Sequence, residues 1–284
     1  AQGNRDMSAI HEIDNSEKEF FQLQQLVRKH CGITLSAEKQ DVIHSRLSRR
    51  LQALKLNSFS DYCSMIEHGH KEELEQFTNA LTTNLTAFFR EPYHFEYLRE
   101  SVLPEVMQRN ADSRRLRIWS AGCSTGEEPY SIAIALLETI PHIENWNVRI
   151  LATDLDTSVI DAAVRGIYRQ EKVAALSKAR LKSWFEKGRG SRSGLVRVTP
   201  KVRKLVTFRQ LNLMQEWPMQ GPFDIIFCRN VVIYFDKQIQ QRLFERYAGI
   251  MAPAGHLFIG HSESLYNVTD RFKLIGRTIY RKSC

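Results

Sequence analysis

The spacing of apolar residues along the chain changes near residue 115. Before that point, apolar residues recur every three or four positions, which is typical of amphipathic helices. The first helix is predicted to begin at a capping box formed by Ser16 and Glu19 and to end at Gly32. Further helices are predicted at Ser36 to about Lys55, at Ser58 to Glu67 and at Lys71 to Leu81, and shorter pieces begin at Pro92 and Pro104.

From Leu116 onward, short apolar runs alternate with helical stretches, which favours a parallel sheet with helices on both faces. The five predicted crossover strands are Leu116 to Ala121, Val148 to Thr153, Leu205 to Leu211, Phe223 to Cys228 and His256 to Gly260. Phe272 to Ile275 and Thr278 to Arg281 are predicted to form a terminal antiparallel hairpin. The fold class is therefore α/β, with a doubly wound sheet after a small all-α domain.

These patterns also predict the domain organisation. We expect a disordered tail at residues 1–15, a helical N-terminal domain at 16–91 and a linker helix region at 92–115, with the boundary in the polar stretch Asn110 to Arg114. The ligand-binding domain is predicted at 116–284, with a small inserted β subdomain at about 166–204. Within this insert, Leu181 to Lys187 is predicted to complete a helix, and Leu195, Val196 and Val198 to form a short strand.

Composition narrows the class of protein. The 284-residue chain has no apolar run long enough to cross a bilayer and no apolar signal region at its start, so neither membrane insertion nor secretion is expected. Its five cysteines are scattered and odd in number, which indicates a reducing compartment and therefore a cytoplasmic location. No cysteine pair has zinc-site spacing, and we expect no metal site.

The net charge of +8 is concentrated in one segment. Residues 165–209 contain fourteen Lys or Arg against two Glu, so this segment carries +12 and the rest of the chain −4. A basic block of this kind indicates an acidic partner, which could be nucleic acid, a membrane surface or an acidic protein. A solvated face that only aids solubility is the alternative, and the same choice applies to Arg46, Arg49 and Arg50 on the second predicted helix.

The stretch from Ile118 to Tyr130 joins a predicted strand to a helix through a turn that contains glycine. Gly122 and Gly126 would let the backbone approach a ligand, and Glu127 suits the first helical turn. This turn is neither G-x-G-x-x-G nor a P-loop, and two acidic residues at the helix start would repel a pyrophosphate. A cofactor with ribose hydroxyls and a positive centre, such as S-adenosylmethionine, fits better; an ordinary strand-to-helix turn is the alternative.

Residues that end parallel strands gather at one edge of a doubly wound sheet, where ligands bind. A carboxylate such as Asp154 can accept hydrogen bonds from ribose hydroxyls there, although it could instead cap the next helix or form part of an acidic pair with Asp156. Asn212 could contact an adenine edge or could form a turn. The candidate residues at the predicted strand ends are Ser120, Ala121, Asp154, Asn212, Arg229 and Asn230.

Five ordered motifs together resemble the bacterial chemotaxis receptor methyltransferases of the CheR type. They are LTTNLTAFFRE, WSAGCSTGEEPYSIA, ATDLDTSVIDAAVRGIY, FDIIFCRNVVIYFD and GHLFIGHSESL, and the resemblance extends from about Ser16 to Tyr280. It implies a class I methyltransferase fold, S-adenosylmethionine as cofactor and S-adenosylhomocysteine as product. It also implies transfer of a methyl group to glutamate side chains on the cytoplasmic helices of chemoreceptors, which gives γ-methyl esters.

The resemblance also implies roles for individual residues. Glu127 and Asp154 would hold the amino group and the ribose of the cofactor, while Asn212 and Leu213 would frame its adenine. Arg229 and Asn230 would line the pocket near the reacting centre. The residues that would reach the cofactor from the helical side are Asn84, Thr86 and Arg90. The chain departs from the family pattern at Leu85, where many members carry glutamate.

A glutamate carboxylate is ionised at neutral pH, because its pKa is about 4.3, and it therefore needs no general base. Tyr234 and Arg99 are candidates to orient the incoming carboxylate; the alternatives are a buried aromatic residue and a helix-surface charge. The predicted docking residues for receptor helices and for a receptor C-terminal tail are Arg46, Arg49 and Arg50 on the second helix and Gly188, Arg189, Gly190 and Gly194 in the insert.

Two other functions compete with this prediction. The basic insert could indicate a nucleic-acid methyltransferase, but the fourth strand ends in Cys228-Arg229-Asn230 rather than in an NPPY-like motif, and no aromatic residues are interleaved with the basic run. We therefore expect no nucleic-acid partner. A non-catalytic module that senses the cofactor or binds receptors is the other alternative. The protein is expected to be a monomer that is recruited to membrane-bound receptors.

Overall fold

The computed structural model describes residues 18–35 and 40–283, which fall into two compact units. Among the described residues, the helical unit contains those up to Thr83 together with Tyr234–Asp236, and the sheet unit contains Asn84–Ile233 and those from Lys237 onward. The predicted tail at residues 1–15, the Ser16 cap and the start of the second helix at Ser36 lie outside the described residues.

Four helices lie in the part of the helical unit that the structure describes. Their bounds are residues 18–31 for α1, Gln40–Leu54 for α2, Phe59–Glu67 for α3 and Lys71–Leu81 for α4. The apolar positions of each helix lie on one face, and Leu23, Leu47 and Phe77 are completely buried. Ser58 caps α3 because its side chain accepts a hydrogen bond from the backbone N–H of Asp61.

A buried carboxylate crosslinks three of these helices. Glu73 on α4 is almost fully buried and accepts hydrogen bonds from the Tyr62 hydroxyl of α3 at 2.6 Å and from Arg50 of α2 at 3.0 and 2.5 Å. Such an ion pair holds its elements in register because each partner would otherwise be buried without a counter-charge or an acceptor. The guanidinium of Arg50 is therefore engaged inside the helical unit.

The two units meet in the chain at Thr83 and Asn84, well before the predicted boundary at Asn110 to Arg114. The segment between these points forms α5 (Pro92–Tyr97), a π-helical turn (Leu98–Val102) and α6 (Leu103–Arg109). Its apolar side chains belong to the core of the sheet unit, which is why the polar stretch after it is only the turn into the first strand.

A seven-stranded sheet forms the centre of the sheet unit. Its strands run in the order β6-β2-β1-β7-β8-β10-β9, and only β10 is antiparallel to its neighbours. Their bounds are Arg115–Ala121 (β1), Asn147–Asp154 (β2), Val206–Gln210 (β6), Phe223–Cys228 (β7), Met251–Ile259 (β8), Phe272–Gly276 (β9) and Ile279–Lys282 (β10). This is the predicted class I methyltransferase topology, including the terminal hairpin.

Side chains cover both faces of this sheet, as expected for parallel strands that are connected by helices. Every residue of the central strand β7 is buried. Phe95 of α5 packs on Phe227 on one face, and Tyr247 packs on Trp119 on the other, with ring centroids 6.2 and 5.3 Å apart. The principal helices of this unit are α7 (Glu127–Thr139), α8 (Thr157–Arg165) and α11 (Lys237–Ile250).

The insert forms a small antiparallel sheet with strand order β3-β5-β4. Its elements are β3 (Ile167–Arg169), a 3-10 turn (Gln170–Val173), α9 (Lys178–Trp184), β4 (Phe185–Lys187), β5 (Leu195–Val198) and α10 (Pro200–Arg203). The predicted strand at Leu195 is confirmed. The predicted helix over Leu181 to Lys187 is wrong in its second half, because α9 ends at Trp184 and the next three residues pair with β5.

Two further observations concern the described part of the chain. No helix there is both long enough and apolar enough to span a bilayer. Cys31, Cys63, Cys123 and Cys228 are all buried and form no disulfide with one another. Burial raises the pKa of the Cys31 and Cys63 thiols to about 11.

The crosslink at Glu73 leads to a stability prediction. Glu73→Ala should lower the free energy of opening of α2–α4 by about 2–3 kcal/mol, because Arg50 and Tyr62 lose their acceptor. Hydrogen exchange of the α2–α4 amides in the full chain measures this loss. The adjacent Glu72 is exposed, so Glu72→Ala should change the opening free energy by no more than about 0.5 kcal/mol. Equal protection in the two variants would contradict the assignment.

Candidate active site at the carboxyl edge of the sheet

The turn after β1 is fastened to the end of β2 by backbone hydrogen bonds. The N–H groups of Gly122 and Cys123 both donate to the carbonyl of Thr153, at 2.8 and 2.9 Å. The N–H of Ser124 donates to the Asp154 side chain at 2.8 Å. The first two strands therefore end side by side, and the turn between β1 and α7 is held against the carboxylate that ends β2.

Both glycines of this turn are required by conformation and by space. Gly122 and Gly126 have φ values of +99° and +96°, which only glycine adopts readily. A Cβ at Gly122 would lie 2.3 Å from Val231, and one at Gly126 would lie 2.9 Å from the Tyr168 hydroxyl. Both glycines allow close packing against neighbouring segments of the protein, and the predicted approach to a ligand stays a prediction.

Asp154 and Asp156 have separate tasks. Asp156 caps α8 by accepting hydrogen bonds from the N–H groups of Ser158 and Val159, so the helix-capping alternative considered for Asp154 belongs to Asp156. The two oxygens of Asp154 accept one backbone N–H each, from Ser124 and from Asp156. Burial raises the pKa of Asp154, and these two hydrogen bonds oppose the rise. The carboxylate is therefore fixed in direction at the end of β2.

Glu127 begins α7 and is completely buried. Its Oε2 atom accepts a hydrogen bond from the Thr125 hydroxyl at 2.6 Å, whereas its Oε1 atom has no hydrogen-bond donor among the described residues. The ammonium group of Lys172, from the insert, lies 3.7 Å from Oε1. A buried carboxylate oxygen without a donor is costly, so this atom is suited to bind a cationic group.

Glu128 points elsewhere, into a buried ion-pair cluster. It accepts hydrogen bonds from the Ser120 hydroxyl at 2.6 Å and from Arg229 at 3.1 Å. The Arg229 guanidinium also lies 3.3 Å from Glu91 and donates to the carbonyl of Arg90. Burial raises the pKa of Glu128, and Arg229 opposes this rise. Arg229 therefore neutralises two carboxylates in the interior of the unit, next to the predicted site residue Ser120.

Glu91 is the second carboxylate of this cluster. Burial alone would raise its pKa, but the charge of Arg229 and the hydrogen bonds from His261 outweigh burial and bring the pKa of Glu91 down to about 2. His94 lies beside it, and burial together with the positive charge of Arg229 lowers the pKa of His94 to about 3. At neutral pH the cluster therefore contains an ionised Glu91 and a neutral His94.

A third buried carboxylate shapes the loop after β7. Glu263 accepts hydrogen bonds from the N–H groups of Asn230, Ile233 and Gly260 at 2.9, 3.2 and 2.6 Å. Asn230 has a left-handed backbone with φ of +58°, and this geometry is kept because its N–H is bound. Glu263 thus fixes the backbone of the loop that carries Asn230.

The remaining predicted cofactor residues surround this edge. Asn212 accepts the N–H of Met214 at 2.9 Å, so its side chain also forms the turn considered as an alternative. The Leu213 carbonyl accepts from Arg246 at 2.6 Å. Ala121, the last residue of β1, is buried. On the segment before α5, the Asn84 amide donates to Asp156, the Thr86 carbonyl accepts from Lys172, and Arg90 donates to the carbonyl of Leu85.

The candidate orienting residues do not share one setting. Tyr234 lies in the 3-10 turn Val232–Tyr234 and is counted with the helical unit, where its carbonyl accepts the N–H of Thr34 at 2.8 Å. Arg99 is exposed on the π-helical turn of the sheet unit. Their roles therefore stay predictions.

The candidate docking residues differ in availability. Arg46 donates to the carbonyls of Leu81 and Thr82 at the end of α4, and Arg50 is paired with Glu73, whereas Arg49 is exposed. In the insert, the loop between β4 and β5 is mostly exposed. Gly190 and Gly194 in this loop have positive φ. A Cβ at Gly188 would lie 2.1 Å from the carbonyl oxygen of Arg192. Arg189, which follows Gly188, is exposed.

Sequence reasoning missed the acidic residues that organise the site. Glu91 and Glu263 received no role there, although both lie inside the quoted motifs, and Glu128 was considered only as one of the two acidic residues at the helix start. One signal was present: an arginine at the end of a wholly apolar strand such as β7 requires a buried acidic partner. The acidic partners of Arg229 are Glu128 and Glu91, which lie 101 and 138 positions before it in the chain. A local sequence pattern carries no information about contacts between residues so far apart.

The strand order, the glycine turn after β1 and the carboxylate that ends β2 define a class of α/β protein that binds its ligand at the carboxyl edge of the sheet. Comparison with protein families then gives the particular family. Residues 84–281 match the CheR methyltransferase, SAM binding domain, and residues 18–82 match the CheR methyltransferase, all-alpha domain. The chain belongs to the CheR methyltransferase family, and it is an S-adenosylmethionine-dependent methyltransferase.

Curated relatives cover nearly the whole chain. A chemotaxis protein methyltransferase of Pseudomonas aeruginosa is 43% identical over 270 residues, which are 95% of this chain and 94% of the relative. The chemotaxis protein methyltransferase of Escherichia coli is 42% identical, with 94% and 92% covered. A probable chemotaxis protein methyltransferase of Rhizobium etli is 41% identical, with 90% and 96% covered. The alternatives of a nucleic-acid methyltransferase and a non-catalytic module are not favoured.

The residues present fit the cofactor. S-Adenosylmethionine carries an α-ammonium group and a ribose with two hydroxyls, and the edge of the sheet has a partner for each. The buried Oε1 atom of Glu127 lacks a hydrogen-bond donor among the described residues, which suits the ammonium group. The carboxylate of Asp154 is aligned by two backbone N–H groups, and acceptors of this kind bind ribose hydroxyls.

The buried cluster leads to a second stability prediction. Arg229→Met should cost about 3–5 kcal/mol, because Glu91 and Glu128 then lose their buried counter-charge. Urea unfolding followed by tryptophan fluorescence measures the sheet unit, since Trp119, Trp146, Trp184 and Trp217 all lie in it.

A surface ion pair of the same unit provides the control. Arg271 pairs with Glu245 at 3.6 Å, and both side chains are about half exposed. Arg271→Met should therefore change the free energy of unfolding by no more than about 1 kcal/mol. If both arginine variants lose the same stability, Arg229 does not act as a buried counter-charge.

Proposed function

We propose that this protein transfers a methyl group from S-adenosylmethionine to the side-chain carboxylates of glutamates on the cytoplasmic helices of chemoreceptors, which gives glutamate γ-methyl esters. The observation that carries the proposal is the pair of oriented carboxylates, Glu127 and Asp154, at the carboxyl edge of a CheR-family sheet. The names of the relatives support a substrate in chemotaxis. The protein then acts in the cytoplasm and is recruited to membrane-bound receptors.

The chemistry asks little of the protein beyond alignment. Held by Glu127 and Asp154, the cofactor would supply a methyl group activated by its sulfonium centre, and S-adenosylhomocysteine would be left as the product. A glutamate side chain with a pKa of about 4.3 is already ionised at pH 7, so no proton has to be removed. Holding the two reactants in line contributes up to roughly 7–11 kcal/mol in ideal cases. Glu127 and Asp154 would fix one reactant, whereas Tyr234 and Arg99 are the candidates to orient the other.

Buried ion pairing assigns Arg229 a supporting part in this proposal. Its guanidinium is occupied by Glu91, Glu128 and the Arg90 carbonyl, so its contribution is to hold the segment before α5 beside the start of α7. The predicted cofactor contacts of Asn84, Thr86 and Arg90 would then depend on this cluster. The adenine of the cofactor would be framed by Asn212 and Leu213. The rest of the cofactor pocket would be lined by Asn230, Ser120 and Ala121.

The direct test is transfer of labelled methyl from S-adenosylmethionine to membranes that contain chemoreceptors. Mild alkali should release the label as volatile methanol, because carboxyl esters hydrolyse under these conditions whereas N-methyl groups do not. Label on the receptor band that alkali does not release would contradict ester formation. Cofactor binding without any receptor label would contradict the proposed substrate.

The ribose assignment leads to a binding prediction. Asp154→Asn should weaken binding of S-adenosylhomocysteine by about 10- to 100-fold, because a charged acceptor for two hydroxyls is lost. Calorimetry measures the affinity, and Asp161→Asn is the matched control because Asp161 is exposed on α8. Equal affinities of the two variants would remove Asp154 from the cofactor site.

We further propose that receptor C-terminal tails dock on the insert by strand addition. The outer strands β3 and β4 each pair on one side only within the described sheet, and an extended peptide can add to such an edge. The loop from Gly188 to Gly194, with Arg189 and Gly190, lies at the end of β4 and adds positive charge for an acidic partner. Arg49 is the exposed arginine of α2 that could contact receptor glutamates.

The docking proposal can be tested by shortening that loop. Replacing residues 189–194 with Asn-Gly keeps Gly188 opposite Leu195 and leaves a tight turn between β4 and β5. Methylation of a soluble receptor fragment without a tail should be unchanged, whereas capture of tail-bearing full-length receptor in a pull-down should weaken. A second variant, Arg189→Ser with Arg192→Ser, separates loop charge from loop length. Undiminished capture by both variants would exclude this loop from docking.

A further inference from the structure

Lys172 connects the insert to the start of α7. It lies in the 3-10 turn Gln170–Val173 that follows β3, and its ammonium group is 3.7 Å from Glu127 Oε1 and 3.5 Å from the carbonyl of Thr86. About half of the Lys172 side chain is exposed, whereas only 1% of the Glu127 side chain is. A half-exposed cation of the insert therefore reaches a buried anion of the candidate active site.

The two partners are unequal. Glu127 Oε1 is buried and has no hydrogen-bond donor among the described residues, so a nearby positive charge stabilises it. Lys172 keeps much of its hydration, because half of its side chain is exposed. An exchange of this cation for another one is therefore inexpensive for Lys172, provided that Glu127 receives a positive group in return.

The proposed function gives the same oxygen to the α-ammonium group of the cofactor. Two ammonium groups that approach one carboxylate oxygen repel each other, and in a buried setting solvent screens this repulsion poorly. Lys172 must then leave Glu127 when the cofactor ammonium binds.

We infer that Lys172 is an internal competitor for the ammonium subsite, and that it selectively weakens the binding of adenosyl ligands that carry an α-ammonium group. This inference rests on the proposed assignment of Glu127. Ligands such as 5′-methylthioadenosine, which lack the amino-acid part, would not meet this competition. Because Lys172 belongs to the insert, the binding of an ammonium-bearing ligand also releases one contact between the insert and α7.

The test compares two ligands on four proteins by calorimetry. For Lys172→Gln, S-adenosylhomocysteine should bind about two- to fivefold more tightly than it binds the wild type, which is the effect of removing a half-exposed ion pair. The affinity for 5′-methylthioadenosine should not change. Lys182→Gln is the control, because it removes an exposed positive charge from α9 in the same insert. The gain should shrink as salt is raised, since salt screens the Lys172–Glu127 attraction.

Glu127→Gln separates this inference from the proposed function. If Glu127 binds the cofactor ammonium, Glu127→Gln weakens S-adenosylhomocysteine and spares 5′-methylthioadenosine; unchanged affinity would overturn the proposed assignment itself. If Glu127→Gln behaves as expected but Lys172→Gln leaves the affinity for S-adenosylhomocysteine unchanged or lowers it, the inference about Lys172 fails while the assignment of Glu127 stands. Lower affinity in Lys172→Gln would mean that Lys172 contacts the cofactor. An equal gain for both ligands, or an equal gain in Lys182→Gln, would also overturn it.

Discussion

The attachment of the β1–α7 turn to the carbonyl of Thr153 is the constraint on which the candidate site depends. Because two successive N–H groups donate to this one carbonyl, the chain leaves β1 toward β2 before it enters α7. Ser124 then reaches Asp154, and Glu127 is placed at the first turn of the helix. Parallel pairing of β1 with β2 over seven residues fixes where both strands end, so the positions of the two carboxylates follow from the register of the sheet.

A second constraint is electrostatic. Arg229 ends a wholly buried strand, and its charge is stable there only because Glu91 and Glu128 lie within 3.3 Å of it. These partners come from the segment before α5 and from the start of α7, so one guanidinium holds three separate parts of the chain together. Removing water from such a cluster is expensive, and the folded state recovers the cost through paired charges and hydrogen bonds. The cluster joins these segments without using the Oε1 atom of Glu127 or the carboxylate of Asp154.

The sequence predicted the sheet well because each strand carries its own local signal. β7 was placed at Phe223 to Cys228, as observed, since six consecutive buried positions between turn residues have few other interpretations. Predictions that depended on distant partners were less complete. Arg50 appeared to be a surface arginine on α2, and only the folded chain brings Glu73 of α4 to it. For the same reason the polar stretch after α6 resembled a linker, although the helices before it supply the core of the sheet unit. The position of Asp154 at the end of β2 followed from the predicted strand. The sequence did not show which of Asp154 and Asp156 caps α8, because both lie just before that helix.

Glu127 and Glu128 are adjacent at the start of α7, but their carboxylates have different electrostatic surroundings. Both benefit from the positive end of the helix dipole, which offsets part of the cost of burying them. Glu128 is then neutralised internally by Arg229, whereas Glu127 keeps an oxygen without a hydrogen-bond donor among the described residues, and its nearby cation is attached to a half-exposed side chain. Anionic ligands such as pyrophosphate are disfavoured at such a helix start, although helix N-termini usually attract them. The first turn of α7 therefore holds one carboxylate that is paired inside the fold and one buried oxygen that lies near a half-exposed cation.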